Sequence, residues 1–116
     1  VWYLYQARLE RDDIEPKVVQ KIGITNAKDP LYRLKYNGSD EPRPIIKYFP
    51  SITVLKTKTF KTKVQAEYAE RRIMGMVKRQ FKSERFHNWR EDDHISGITE
   101  MRIWKDDEVE FISENL

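Results

Sequence analysis

Two apolar runs near the start of the chain limit the folds open to it. "VWYLYQARL" (residues 1–9) carries aromatic and aliphatic side chains on both alternating faces, and "VVQKIGIT" (18–25) reads as a second strand. A strand that is apolar on both faces must be covered on both sides, so the first run predicts a well-buried strand. Between them "ERDDIEPK" (10–17) is charged and holds a proline, which predicts a hairpin connection longer than the tightest turns. One residue breaks the second run. Gly23 marks either a bulge or a place where another group approaches the backbone closely.

The rest of the chain supplies the covering layers. Asp29 is placed to cap a helix that opens on Pro30, and Gly38 to end it after "LYRLKYN". "SDEPRP" reads as a loop. "IIKYFPSITVLKTKTF" reads as a third extended region broken at Pro50. Thr62 and Gln65 form a capping-box pattern before a long helix over about 62–81. "KSERFHNWREDDHISG" reads as an irregular polar loop, "TEMRIW" as a short strand and "DDEVEFISENL" as a terminal helix. The 116 residues suit one domain, 1–116, and show no repeat. The order β-β-α-β-α, with a short strand and a helix after it, predicts a small α+β domain: a sheet with an N-terminal hairpin and helices packed on it.

Composition narrows the function classes. No apolar stretch approaches the ~20 residues of a membrane span, and the start carries no signal-peptide pattern. Val1 in place of an initiator Met leaves room for flanking domains of a larger protein. The absence of cysteine excludes disulfides, thiol nucleophiles and cysteine zinc sites, and favours a reducing compartment. Net charge is only +3, with a pI near 9.1, but the charge is segregated. Lys56, Lys58, Lys61 and Lys63 lie in "KTKTFKTK", and Arg71, Arg72, Lys78, Arg79, Lys82 and Arg85 follow. Acids gather instead at Asp12–Asp13, Glu91–Asp93 and Asp106–Glu110. Such segregation fits either a phosphate-facing side, where the four lysines touch nucleic acid without reading sequence, or a solvated lysine-rich face.

In the long helix, steps of about 100° per residue put Ala66, Ala69, Ile73, Met76, Val77 and Phe81 on one face. Glu70 falls inside that face. A carboxylate there needs an ion-pair partner, hydrogen bonds or a metal. Glu70 is therefore either half of a structural ion pair, with Arg33 or a lysine, or a group aimed into a cleft. "HNWREDDH" (87–94) is a weaker metal candidate, because its groups are crowded into one short loop. Phe86 and Trp89 suit docking of that loop or base stacking.

Five pieces in order carry a resemblance. They are Tyr3 to Ala7 (Y-x-x-x-A), Lys21 to Thr25 (K-I-G-x-T), Asp29–Pro30 with Arg33–Leu34 (D-P-x-x-R-L), Ala66 to Glu70 (A-x-x-x-E), and Gly97 with Glu100 (G-x-x-E). Together they resemble the GIY-YIG nuclease superfamily, in particular the phage and bacterial branch with K-I-G for Y-I-G (the phage T-five orf172-like group). The resemblance implies a divalent-metal-dependent DNA endonuclease or nickase in the cytoplasm of a bacterial or phage-infected cell. The alternative is a catalytically silent nucleic-acid-binding module on the same fold. In the enzyme, Tyr3, which the Y-x-x-x-A pattern favours, or its same-face neighbour Tyr5 would take the proton of the attacking water, with nearby cations easing its ionisation. Lys21 would stand where relatives have a second tyrosine, and Gly23 would make room for a phosphate or the tyrosine. Arg33 would bind phosphate through its planar fork. Glu70 would hold one Mg²⁺ or Mn²⁺ ion. The other readings of the same residues are a bulge at Gly23, an ordinary helix-surface Arg33 and a solvent-facing Lys21.

Overall fold

A computed structural model describes residues 1–81 and 101–116. Its central strand is β1 (Trp2–Glu10), which pairs antiparallel with β2 (Val18–Thr25) on one side and with β3 (Ser51–Phe60) on the other. A short β4 (Met101–Ile103) adds to the outer edge of β2, so the sheet order is β3-β1-β2-β4. The hairpin between β1 and β2 closes through Arg11 N–H donating to the Lys17 carbonyl (2.9 Å). The charged connection is wound around the Arg11 side chain, whose Nε donates to the carbonyls of Ile14 (3.1 Å) and Pro16 (2.9 Å). The Arg11 guanidinium also lies over the Phe49 ring, 4.7 Å from its centroid.

Both faces of β1 are covered, as its sequence predicts. Tyr5, Ala7 and Leu9 pack with Val19 under a helical layer that carries Leu34, Ile45 and Tyr48. Leu4 joins Ile22 on the opposite face, against Ile73, Met74, Val77 and Ile112. The first layer is built from α1 (Pro30–Lys35) and α2 (Pro44–Tyr48), the second from α3 (Lys63–Gln80) and α4 (Asp106–Asn115). The described residues thus form a small α+β unit with a four-stranded antiparallel sheet and four helices. None of these helices is long and apolar enough to cross a membrane.

Three local expectations need correcting. α1 starts as read, with Asp29 Oδ1 accepting from Tyr32 N–H (3.2 Å) and Pro30 in its first turn. It stops at Lys35, before Gly38, because Tyr36 turns extended and forms a bridge with Pro42. The Asn37 side chain then organises the reversal, accepting from Ser39 N–H (2.8 Å) and Glu41 N–H (3.0 Å). The region read as extended from Ile45 begins instead with α2. Ile45, Tyr48 and Phe49 are all buried, a three-and-four spacing that suits a helix turn. Third, the buried stripe of α3 includes Met74 as well as Ala66, Ile73 and Val77. The N-terminus of α3 is as read, since Thr62 Oγ1 accepts from Gln65 N–H (3.2 Å).

Candidate functional site

The hairpin register brings three of the sequence-predicted site residues together. Tyr5 pairs directly with Gly23, and Ala7 pairs with Lys21. Cross-strand partners share a face, so Tyr5, Gly23 and Lys21 lie side by side beneath the α1–α2 layer. The β1–β2 register is unbroken, which removes the bulge reading of Gly23. The glycine is there for the tyrosine. A Cβ on Gly23 would sit 2.6 Å from Tyr5 Cζ and 3.0 Å from Cε1, and closer still to the hydroxyl. Its ring therefore lies directly on the Gly23 backbone.

Lys21 is 7% exposed and Tyr5 is 5% exposed, so Lys21 is not the solvent-facing strand lysine. Its ammonium stands 5.7 Å from the centroid of the Tyr5 ring, over the negative face of the π system. The result is a phenol and an ammonium held together in a mostly dry setting. Tyr3 lies on the same face, one pair further along and opposite Thr25, and is half-buried. Spacing leaves Tyr3 and Tyr5 open, and the motif pattern favours Tyr3. Packing separates them, because it is Tyr5 that rests on Gly23 beside Lys21.

Arg33 is half-buried on α1, in the same layer. Its guanidinium lies against the turn that follows, with Nη1 at 3.4 Å from where a Gly38 Cβ would be. Tyr32 next to it donates to Asp40 Oδ1 (2.6 Å) and stacks, tilted, on Tyr36 at 4.8 Å. That hydrogen bond to a carboxylate holds the Tyr32 phenol above its ordinary range. Glu70 is half-buried on α3, one turn after Ala66 and one before Met74. It is engaged by neighbouring groups. Its helix packs on Leu4 and Ile22, across the sheet from Tyr5 and Lys21. β4 pairs with β2 only from Val19 to Lys21, so beyond Lys21 the outer edge of β2 carries no strand among the described residues.

The four lysines are all exposed but do not form one free row. Lys56 Nζ donates to the Ser113 carbonyl of α4 (2.6 Å). Lys63 pairs with Glu67 (3.7 Å) and lies over the Trp2 ring at 5.5 Å. Lys58 lies over the Phe60 ring, 5.7 Å from its centroid. His87, His94, Phe86, Trp89, Gly97 and Glu100 lie outside the described residues. Among the described residues no group of three or more His, Cys, Asp or Glu side chains is placed to hold a metal ion.

Sequence reading missed a buried polar seam on the α3–α4 side. Arg102 of β4 pairs with Glu108 of α4 (2.5 Å), both almost fully buried. Beside them Gln6 Nε2 donates to Gln20 Oε1 (3.3 Å) and to the Val109 carbonyl (3.0 Å). The available signal was Arg102 between Met101 and Ile103 in a strand-like run, since a charge there must find a partner. No protein-family model, curated protein or solved structure gives a significant match to the chain.

Proposed function

We propose that this chain is a divalent-metal-dependent nuclease domain of the GIY-YIG type, cutting or nicking DNA in a bacterial or phage-infected cytoplasm. The observation that carries the reading is the Tyr5–Gly23–Lys21 register. It gives a physical reason for each of the three motif residues at once, and it supports Tyr5 as the base in place of Tyr3, which the motif pattern favours. The antiparallel sheet with β1 at its centre, covered by α1 and α3 on opposite faces, agrees with the fold that the motif order implies.

In this mechanism Tyr5 accepts the proton of the attacking water. The Lys21 ammonium favours the ionised phenol and meets phosphate charge. Arg33 grips the phosphate by two parallel hydrogen bonds once its side chain leaves the Gly38 turn. Glu70 would hold the metal. A single carboxylate fits a hard ion such as Mg²⁺, which commonly takes one or two protein carboxylates and completes its shell with water and substrate phosphate. Such an ion supplies charge stabilisation for the phosphate and the leaving oxygen. For one phosphate to meet Glu70 as well as Tyr5 and Lys21, it would have to reach both faces across the open edge of β2 beyond Lys21.

The burial of Tyr5 and Lys21 favours a second reading, a nucleic-acid-binding module that no longer cleaves. Incubation of supercoiled plasmid with Mg²⁺, Mn²⁺ or EDTA decides between them. The nuclease reading expects metal-dependent nicking that is abolished by Tyr5→Phe and strongly reduced by Arg33→Lys, which keeps the charge but loses the fork. Binding without nicking in either metal points to the silent module.

A further inference from the structure

The outward side of α3 has an organised chemistry that the Tyr5–Lys21 site does not use. Tyr68, Arg72, Gly75 and Arg79 follow at spacings of four, three and four, so they form one stripe along the helix. With Arg71 they line a hollow of about 370 Å³. A larger hollow of about 590 Å³ shares Tyr68 and Arg72 and is walled by apolar side chains that include Phe60 and Val64, with Lys58 adding charge. Tyr68 is 66% exposed and Val64 72%, so neither is consumed by the fold. No acidic side chain lines either hollow among the described residues.

Gly75 adds an independent observation. Among the described residues a Cβ there would meet nothing nearer than Arg79 Nη1 at 4.0 Å. Packing among the described residues does not require the glycine, although glycine is among the poorest residues for a helix interior. Bare backbone at the centre of a cationic stripe suits a ligand that must come close to it.

We infer that this stripe is a second nucleic-acid contact, separate from the Tyr5–Lys21 site, and that it takes a single-stranded stretch. An unpaired base stacks on Tyr68 beside the apolar hollow, and the neighbouring phosphates lie along Arg71, Arg72 and Arg79 over Gly75. An aromatic face among cations is the arrangement that holds unpaired bases, whose π faces are hidden in a duplex. The inference rests on nucleic acid being the ligand, but not on cleavage.

The test is fluorescence anisotropy of the whole chain with a labelled oligothymidylate of about twelve nucleotides, inside the ~4–16 nucleotide span of known single-strand sites. A duplex of equal length is measured beside it. Tyr68→Ala should weaken single-strand binding by about 5- to 150-fold, the loss of one base stack, and leave duplex binding nearly unchanged. Arg72→Ala with Arg79→Ala should lower the slope of log affinity against log salt by about 1.4, or about 0.7 per phosphate lost. Gly75→Leu should weaken binding while its melting temperature stays equal or rises, a pair of results that misfolding cannot produce. Parent-like binding by Tyr68→Ala and Gly75→Leu overturns the inference and leaves the nuclease reading standing. A parent that binds neither single strand nor duplex overturns both. Polyglutamate bound as tightly as the oligonucleotide, with the same loss in Tyr68→Ala, overturns it in favour of an acidic protein partner.

Discussion

Gly23→Ala tests the contact on which the candidate site is built. The added Cβ would lie 2.6 Å from Tyr5 Cζ and 3.0 Å from Cε1. Carbon pairs rest at about 3.5–4.0 Å, so the ring must retreat by about an ångström. Tyr5 is 5% exposed and packed in one cluster with Ala7, Leu34 and Tyr48, which leaves little room for that movement. Overpacking of this kind costs about 1–3 kcal/mol. Alanine also reduces the freedom of the unfolded chain, worth about 0.4–1 kcal/mol where the backbone accepts it. Gly23 has no left-handed φ, so that offset applies. From the middle of each range the net loss is about 1.3 kcal/mol, or about 4–8 °C in melting temperature for a domain of this size. In a Tyr5→Leu background the clash is gone, and Gly23→Ala should be neutral or stabilising by up to about 1 kcal/mol. The two substitutions should therefore couple by about 2 kcal/mol, well beyond the ~0.5 kcal/mol within which independent sites add. Urea unfolding of the four proteins measures the coupling. A coupling near zero would refute the register argument, and with it the choice of Tyr5.

Three further variants probe the other face. Glu70→Gln should abolish metal-dependent nicking, leave DNA binding equal or tighter, and keep the metal-free melting temperature. A loss of about 3–5 kcal/mol with nicking in proportion to the folded fraction would instead make Glu70 half of a buried ion pair. Glu108→Gln leaves Arg102 buried without its carboxylate and should cost about 3–5 kcal/mol in urea unfolding, while Arg102→Met with Glu108→Leu recovers most of the loss.

Local chemistry was readable along the chain without its neighbours. β1 follows from apolar residues on both alternating faces, and β2 from its own short apolar run. Asp29–Pro30 and Thr62 start their helices as capping physics requires, and the stripe that begins at Ala66 faces the core. The short α2 escaped because five residues carry little periodicity, and Gly38 misled because the Asn37 turn ends α1 earlier. The site divided along the same line. Glycine within a strand announces a close approach, but not which group approaches. Tyr3 and Tyr5 share one face by the two-residue period of a strand, and only the pairing of β1 with β2 sets Tyr5 on Gly23 and Lys21 beside it. Whether Lys21 meets water or core depends on what the rest of the fold lays over that face, and whether Arg102 finds Glu108 depends on α4 returning to the sheet. Propensity and capping act within one turn of chain, so the sequence alone determined the elements. Register, burial and charge pairing join residues far apart in the chain, so only the tertiary structure decided which side chains meet.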